Sequence, residues 1–227
     1  MVANFQINGM DTDSYYVKKS AINMQGLPLW SWGYNNYGQL GQGNTASYSS
    51  PIQVGTLTNW NLVACGYYHT IATKTDGTLW SWGYNAQGQL GQGNITNYSS
   101  PVQVGTLTNW NKVACGQYHT LATKTDGTLW SWGYNNNGQL GQGNTTSYSS
   151  PVQVGTLTNW NQVAGGVYHT IATKTDGTLW TWGYNAQGQL GQGNTTYYSS
   201  PIQVGSLTNW NQVACGYYHT IATQRIY

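Results

Sequence analysis

Residues 73–85, TKTDGTLWSWGYN, return unchanged at 123–135 and again at 173–185, with one Ser-to-Thr change at Thr181. His69, His119, His169 and His219 keep the same interval, as do Trp60, Trp110, Trp160 and Trp210. A repeat this regular limits the fold before anything else does. Each unit is too small to bury its own apolar face, so neighbouring units must stack as a solenoid, a ring or an array. Four copies fill residues 29–227, after a non-repetitive head at 1–28, MVANFQINGMDTDSYYVKKSAINMQGLP.

Within a unit, NLVACG (61–66), HTIAT (69–73), LWSWG (79–83) and PIQV (51–54) are short, β-branched or aromatic, and bounded by Gly, Asn, Asp or Pro. That pattern predicts four strands per unit. TDG between the second and third supplies the positive φ of a tight hairpin turn. Trp30 and Trp32, two apart, project from one face of a strand. Pro51, Pro101, Pro151 and Pro201 open the fourth strand, which suits an outer edge where a missing N–H is tolerated. No segment carries a helical period. The prediction is an all-β chain, a β-propeller of four-stranded antiparallel blades with four blade equivalents.

The motifs GQLGQGN, VACGYYHT and DGTLWSWG, in that cyclic order over 29–227, resemble the repeats of the regulator of chromosome condensation family. The resemblance implies blades with VACG innermost, followed outward by HTIAT, LWSWG and PIQV. The chain then enters at a third strand and leaves after a second. Strands 29–33 and 51–54 would complete the blade begun by 212–223, a clasp that removes open sheet edges. The clasp closes within one chain as a four-bladed ring, turning about 90° per blade. Alternatively it closes between two chains, a homodimer by strand exchange, as an eight-bladed ring turning about 45°. Members of the family typically have seven blades, nearer the second geometry. Those that serve plants as ultraviolet-B photoreceptors carry GWRHT, where this chain has GYYHT, GQYHT and GVYHT. Lacking that Trp and Arg, it is not expected to sense light. Nucleotide exchange on a small GTPase would require an asymmetric acidic loop surface, which near-identical blades do not offer.

Composition narrows the function classes. Charged residues are 5% of the chain and Glu is absent, yet 12 Trp and 19 Tyr supply ample apolar surface for a core. A net charge of +2 with scattered Lys gives no basic stripe for nucleic acid. No apolar run is long enough for a membrane span, and no start resembles an ordinary secretion signal. Three Cys argue against a disulfide framework.

Four His on a fourfold repeat could ring a metal. Placed at the start of second strands, however, they are held apart, and the Thr beside each suggests a structural hydrogen-bonding pair. Cys65, Cys115 and Cys215 share their place with Gly165, as expected of small, packable side chains near the axis. Gly38, Gly41 and Gly43 do not follow the dinucleotide or P-loop order and read as turn positions. Asp76, Asp126 and Asp176 are turn residues. No acid–base pair breaks the repeat symmetry, so neither catalysis, nor a cofactor, nor a metal is expected.

The repeats differ from one another mainly in the loops after the first and third strands, which emerge on one face. That gives a candidate binding face of Tyr37, Tyr67, Gln87, Asn97, Gln117, Asn137, Ser147, Val167, Gln187, Tyr197 and Tyr217, suited to a protein or glycan. Drift in long loops would leave the same trace. The head, 1–28, reads as an extended arm or anchor and resembles the openings of some bacteriophage virion structural proteins. Two functions follow. The first is a non-enzymatic virion decoration or adhesion protein, with its arm on a capsid or tail protein. The second is a cellular, cytoplasmic protein-interaction or lectin-like propeller.

Overall fold

A computed structural model of the protein describes residues 21–226. After β1 (Ile22–Leu27), β2 (Trp30–Gly33) and β3 (Tyr48–Gln53) come three whole blades. The first is β4 (Trp60–Cys65), β5 (His69–Lys74), β6 (Leu79–Gly83) and β7 (Tyr98–Gln103). The second is β8 (Trp110–Cys115), β9 (His119–Lys124), β10 (Leu129–Gly133) and β11 (Tyr148–Gln153). The third is β12 (Trp160–Gly165), β13 (His169–Lys174), β14 (Leu179–Gly183) and β15 (Tyr198–Gln203). The chain finishes with β16 (Trp210–Cys215) and β17 (Thr220–Gln224). Each blade is an antiparallel sheet in sequence order, and the first strands of successive blades adjoin.

Turn chemistry accounts for the hairpins. Asp76 Oδ1 accepts from the Thr78 N–H (2.9 Å) and from its hydroxyl (2.6 Å), and the same pair recurs at Asp126 and Asp176. These bonds hold all three carboxyls below the usual range. The fourth strand begins three residues earlier than expected, at Tyr48, so Pro51 lies inside it. The ladder tolerates this because the register slips between Ser31 and Gly33, a bulge that needs no N–H from proline.

The second strand of every whole blade is buried along its length. Above it, Lys74 is sandwiched between indoles, its Nζ 3.6 Å from the Trp80 ring centre and 5.1 Å from that of Trp60. Lys124 and Lys174 repeat this. A cation over two indole faces recovers part of what it loses by leaving water, yet burial still lowers the ammonium pKa.

Blade joins blade through the histidines. His69 Nε2 lies 3.0 Å from Thr120 Oγ1 of the next blade, and His119 and His169 reach Thr170 and Thr220 likewise. The structural pairing is therefore real, but its threonine is fifty-one residues on rather than the adjacent one, because Thr70 turns to the Gln39 carbonyl (2.9 Å). Trp82 Nε1 donates to that same carbonyl (2.9 Å). Gly66 must lack a side chain, since a Cβ there would fall on the His69 ring.

The two ends differ from the interior. The end of the head forms β1, hydrogen-bonded to the inner edge of β4, with Ile22 opposite Val63 and Asn23 opposite Leu62. Its QGLP (25–28) stands where the repeats have TDGT, so neither the carboxylate nor the threonine of the hairpin staple is present. β2–β3 and β16–β17 are separate two-stranded sheets, not hydrogen-bonded to each other.

Candidate functional site

The loops after the first and third strands of each blade do share a face, and tyrosines cover it. Tyr34 and Tyr37 pack on Tyr68 (5.8 and 4.8 Å), Tyr37 and Tyr68 on Tyr84 (4.9 and 6.3 Å), and Tyr84 on Tyr118 (5.9 Å). Further along, Tyr134 meets Tyr168, and Tyr184 touches Tyr168, Tyr197 and Tyr218. Offset and edge-on rings stiffen one another, while Tyr34, Tyr67, Tyr197 and Tyr217 remain 37–50% exposed. Burial, and then neighbouring tyrosines, pushes Tyr118 and Tyr218 up to about 12. Those two phenols therefore stay neutral near pH 7 and keep their hydroxyl donors.

The eleven residues singled out from repeat differences divide by role. Tyr37, Tyr67, Tyr197 and Tyr217 join the aromatic surface. Gln87, Asn137 and Gln187 bind through their backbone N–H to the Gln89, Gln139 and Gln189 side chains at 3.0 Å, leaving their own side chains to the loop surface. Asn97 and Ser147 are turned inward, accepting from the backbone N–H of Asn85 (2.7 Å) and Asn135 (3.1 Å), which makes them loop braces. Gln117 and Val167 are buried and do not present a side chain to a partner. Their hairpins converge on the axis, where the Tyr67 N–H donates to the Gln117 carbonyl and the Val167 N–H to that of Tyr217.

Comparing only the differences missed the invariant Tyr34, Tyr68, Tyr84, Tyr118, Tyr134, Tyr168, Tyr184 and Tyr218, which make up most of these contacts. The repeated pairs YYHT and WGYN were the available signal. At the first blade a recess of about 540 Å³ opens, lined by Tyr34, Gln39, Cys65, Tyr67, Tyr68 and Thr70 among others.

Other candidates are occupied structurally. The interior imidazoles are each engaged at a different seam, and burial, then the charge of His219, lowers His169 to about 4. Among the described residues no three His, Cys or Asp side chains converge as metal ligands. Gly165 replaces Cys where a Cβ would come within 2.8 Å of the Cys115 backbone, in keeping with a crowded axis. No helix of the described residues is long and apolar enough to cross a membrane.

Comparison with known proteins agrees with this architecture. Over 59 residues the chain is 39% identical to the ultraviolet-B receptor UVR8 of Arabidopsis thaliana, covering 25% of this chain and 13% of that one. Over 53 residues it is 43% identical to the RCC2 homologue of Danio rerio, covering 22% and 11%. Among solved structures, human WBSCR16 superposes with a TM-score of 0.79 at 24% identity, over 95% of this chain and 59% of that one. Prp20p of Saccharomyces cerevisiae, solved with an account of its binding to Gsp1p and histones, gives 0.76 at 22% identity, over 85% and 50%. The matched stretches thus span a small part of the curated relatives and 50–59% of the solved ones. Residues 19–226 match the RCC1-like domain, and the chain belongs to that family.

Proposed function

We propose that this chain is a non-enzymatic recognition module, an arc of propeller blades that meets a partner protein through its tyrosine-covered face. The two clusters of half-exposed tyrosines on one face carry the reading. They combine rigid aromatic area with hydroxyl donors, the composition that favours protein contact at low entropic cost. The non-enzymatic part is supported by Asp76, Asp126 and Asp176, whose carboxylates are spent on turn bonds. Family membership, and the protein partners named for Prp20p, support a cellular interaction or lectin-like propeller over virion decoration or adhesion. The capsid or tail contact expected of the head falls largely on residues 1–20, outside the described residues. Closure of the ring by β2–β3 meeting β16–β17, within or between chains, belongs to the same reading.

The test replaces Tyr67, Tyr197 and Tyr217 together with Ala and compares capture of proteins from the source cells. Loss of a specific captured protein, with the far-ultraviolet circular dichroism unchanged, is the expected result. Unchanged capture would refute the face. Binding to immobilised glycans, with no protein retained, would instead support the lectin-like form.

A further inference from the structure

Every interior seam uses the same contacts. His69, His119 and His169 reach forward to Thr120, Thr170 and Thr220. Trp82, Trp132 and Trp182 reach back to the carbonyls of Gln39, Gln89 and Gln139, each at 2.9 Å. The Gly43, Gly93 and Gly143 N–H groups donate to the Ser99, Ser149 and Ser199 carbonyls at 2.8 Å. Advanced by one repeat, each series runs off the β17 end and resumes at the β2 end.

Both ends are unfinished in matching ways. At the β17 end, His219 is exposed and Ile221 is 59% exposed, where Ile71 is fully buried. The Gln189 carbonyl accepts from Thr220 but from no indole among the described residues. A Cβ on Gly188 would meet nothing within 4 Å, whereas on Gly88 or Gly138 it would meet Ser149 or Ser199. At the β2 end, Trp32 is 57% exposed, where Trp82 is 1%, and Ser49 is exposed. The recess at the first blade, with Gln39 and Thr70 in its wall, is the seat that an imidazole fills in every interior seam.

We propose that a second copy of this chain fits these ends, β17 of each copy adding to β2 of the other to close a two-chain ring of eight blades. The register of β5 on β6 carries over directly. It sets His219 opposite the partner's Gly33, Ile221 opposite the partner's Ser31 and Thr223 opposite the partner's Leu29. His219 then reaches the partner's Thr70, and the Gln189 carbonyl accepts from the partner's Trp32.

Geometry favours a second copy over self-closure. Four seams in one chain would each turn about 90°, yet after all four junctions of this chain β2 and β17 still lie in separate sheets. The blades superpose instead on chains of which they cover 50% and 59%, an arc of about half a turn. Two such arcs give eight seams of about 45°, related by a twofold axis, with no unpaired edge left between blades. The seam also extends the tyrosine face, and in this respect it rests on the proposed function. The partner's Tyr218 would lie on Tyr34 as Tyr68 lies on Tyr84, and the partner's Tyr217 on Tyr68 as Tyr67 lies on Tyr118 (6.3 Å each).

The experiment is native mass spectrometry of the chain, followed by cross-linking. With Cys65, Cys115 and Cys215 changed to Ala, Ser31→Cys and Ile221→Cys are combined, and in a control Trp30→Cys replaces Ser31→Cys. The expected result is a mass of two 24.9 kDa chains and a disulfide-linked dimer for the first pair only, since Trp30 faces away from Ile221. Ile221→Asp, which buries a carboxylate in the seam, should raise the dissociation constant more than roughly a hundredfold with the circular dichroism retained. A one-chain mass, a disulfide closing one chain on itself, masses that climb stepwise with concentration, equal cross-linking in the control, or an Ile221→Asp variant still of two-chain mass would each overturn the proposal. The tyrosine face is judged separately, by capture with the triple variant, so either idea can fail without the other.

Discussion

Replacing Thr120 with Val tests whether one hydroxyl joins two blades. Thr120 is fully buried, and its Oγ1 donates to the Gln89 carbonyl at 2.7 Å. Its single hydrogen is thereby committed, so His69 must be the donor in their 3.0 Å contact, which fixes the proton on Nε2. Valine keeps the shape and strands that imidazole N–H inside the seam. The Gln89 carbonyl loses less, because Trp132 Nε1 still donates to it at 2.9 Å. An orphaned buried donor costs about 1–3 kcal/mol and a net hydrogen bond about 1 kcal/mol, so Thr120→Val should destabilise by about 2–4 kcal/mol. Thr120→Ser keeps both bonds and loses one buried methyl, about 1 kcal/mol. Urea unfolding of both variants, with m-values compared to exclude a change in the unfolded state, reads the difference. A Val variant no less stable than the Ser variant would refute the hydroxyl bridge.

Three further outcomes follow from the same packing. His169 falls from an ordinary 6.5 to about 4 on folding, so the unfolded chain binds more protons between those values; stability should fall by about 3 kcal/mol as pH drops through that window, and His169→Gln should flatten the profile. Lys124 is 6% exposed with Nζ 3.7 Å from the Trp130 ring centre; Lys124→Ala should cost about 2 kcal/mol through lost stem packing and cation–π attraction, whereas Lys124→Met, which keeps the stem, should stay within about 1 kcal/mol, and equal melting temperatures for the two would contradict this. A Cβ on Gly116 would strike the His119 ring and lie 2.7 Å from the Gly166 carbonyl oxygen. Gly116→Ala should therefore cost about 2 kcal/mol or more, against about 1 kcal/mol for Gly155→Ala, where φ is +59° and the space is open; thermal unfolding that ranks them the other way would be inconsistent with the seam.

What could be read from the sequence was local. The strands of each blade, the Asp-Gly hairpins and the outer position of the proline strand follow from residues near one another in the chain, while the order of strands from the inside outward came from the family resemblance. The misses were contacts between blades. Thr120 answers His69 only because the next blade stands beside it, and nothing in HTIAT distinguishes that threonine from the adjacent Thr70. Gln117 and Val167 look like loop surface until the hairpins meet at the axis. The tyrosine band was hidden by its constancy, since comparison of repeats draws attention to what changes. The pairing of β1 with β4 had no signal, because the two strands lie far apart in the chain with β2 and β3 between them.

That pairing has a consequence for how the chain finds its place. Interchangeable blades allow the polypeptide to slide by a whole repeat and recover nearly the same contacts, so the native arrangement competes with close rivals. β1 breaks the tie. It sets Asn23 against Leu62, and the equivalent positions further on are Lys112, Gln162 and Gln212. At the second blade the Lys112 ammonium is already committed, donating to the Asn161 carbonyl (2.7 Å) and to its side-chain oxygen (3.0 Å). At the position facing Asn23, the first blade alone carries an apolar residue. In a structure that counts by repetition, this short strand acts as the zero mark, giving otherwise identical units an address.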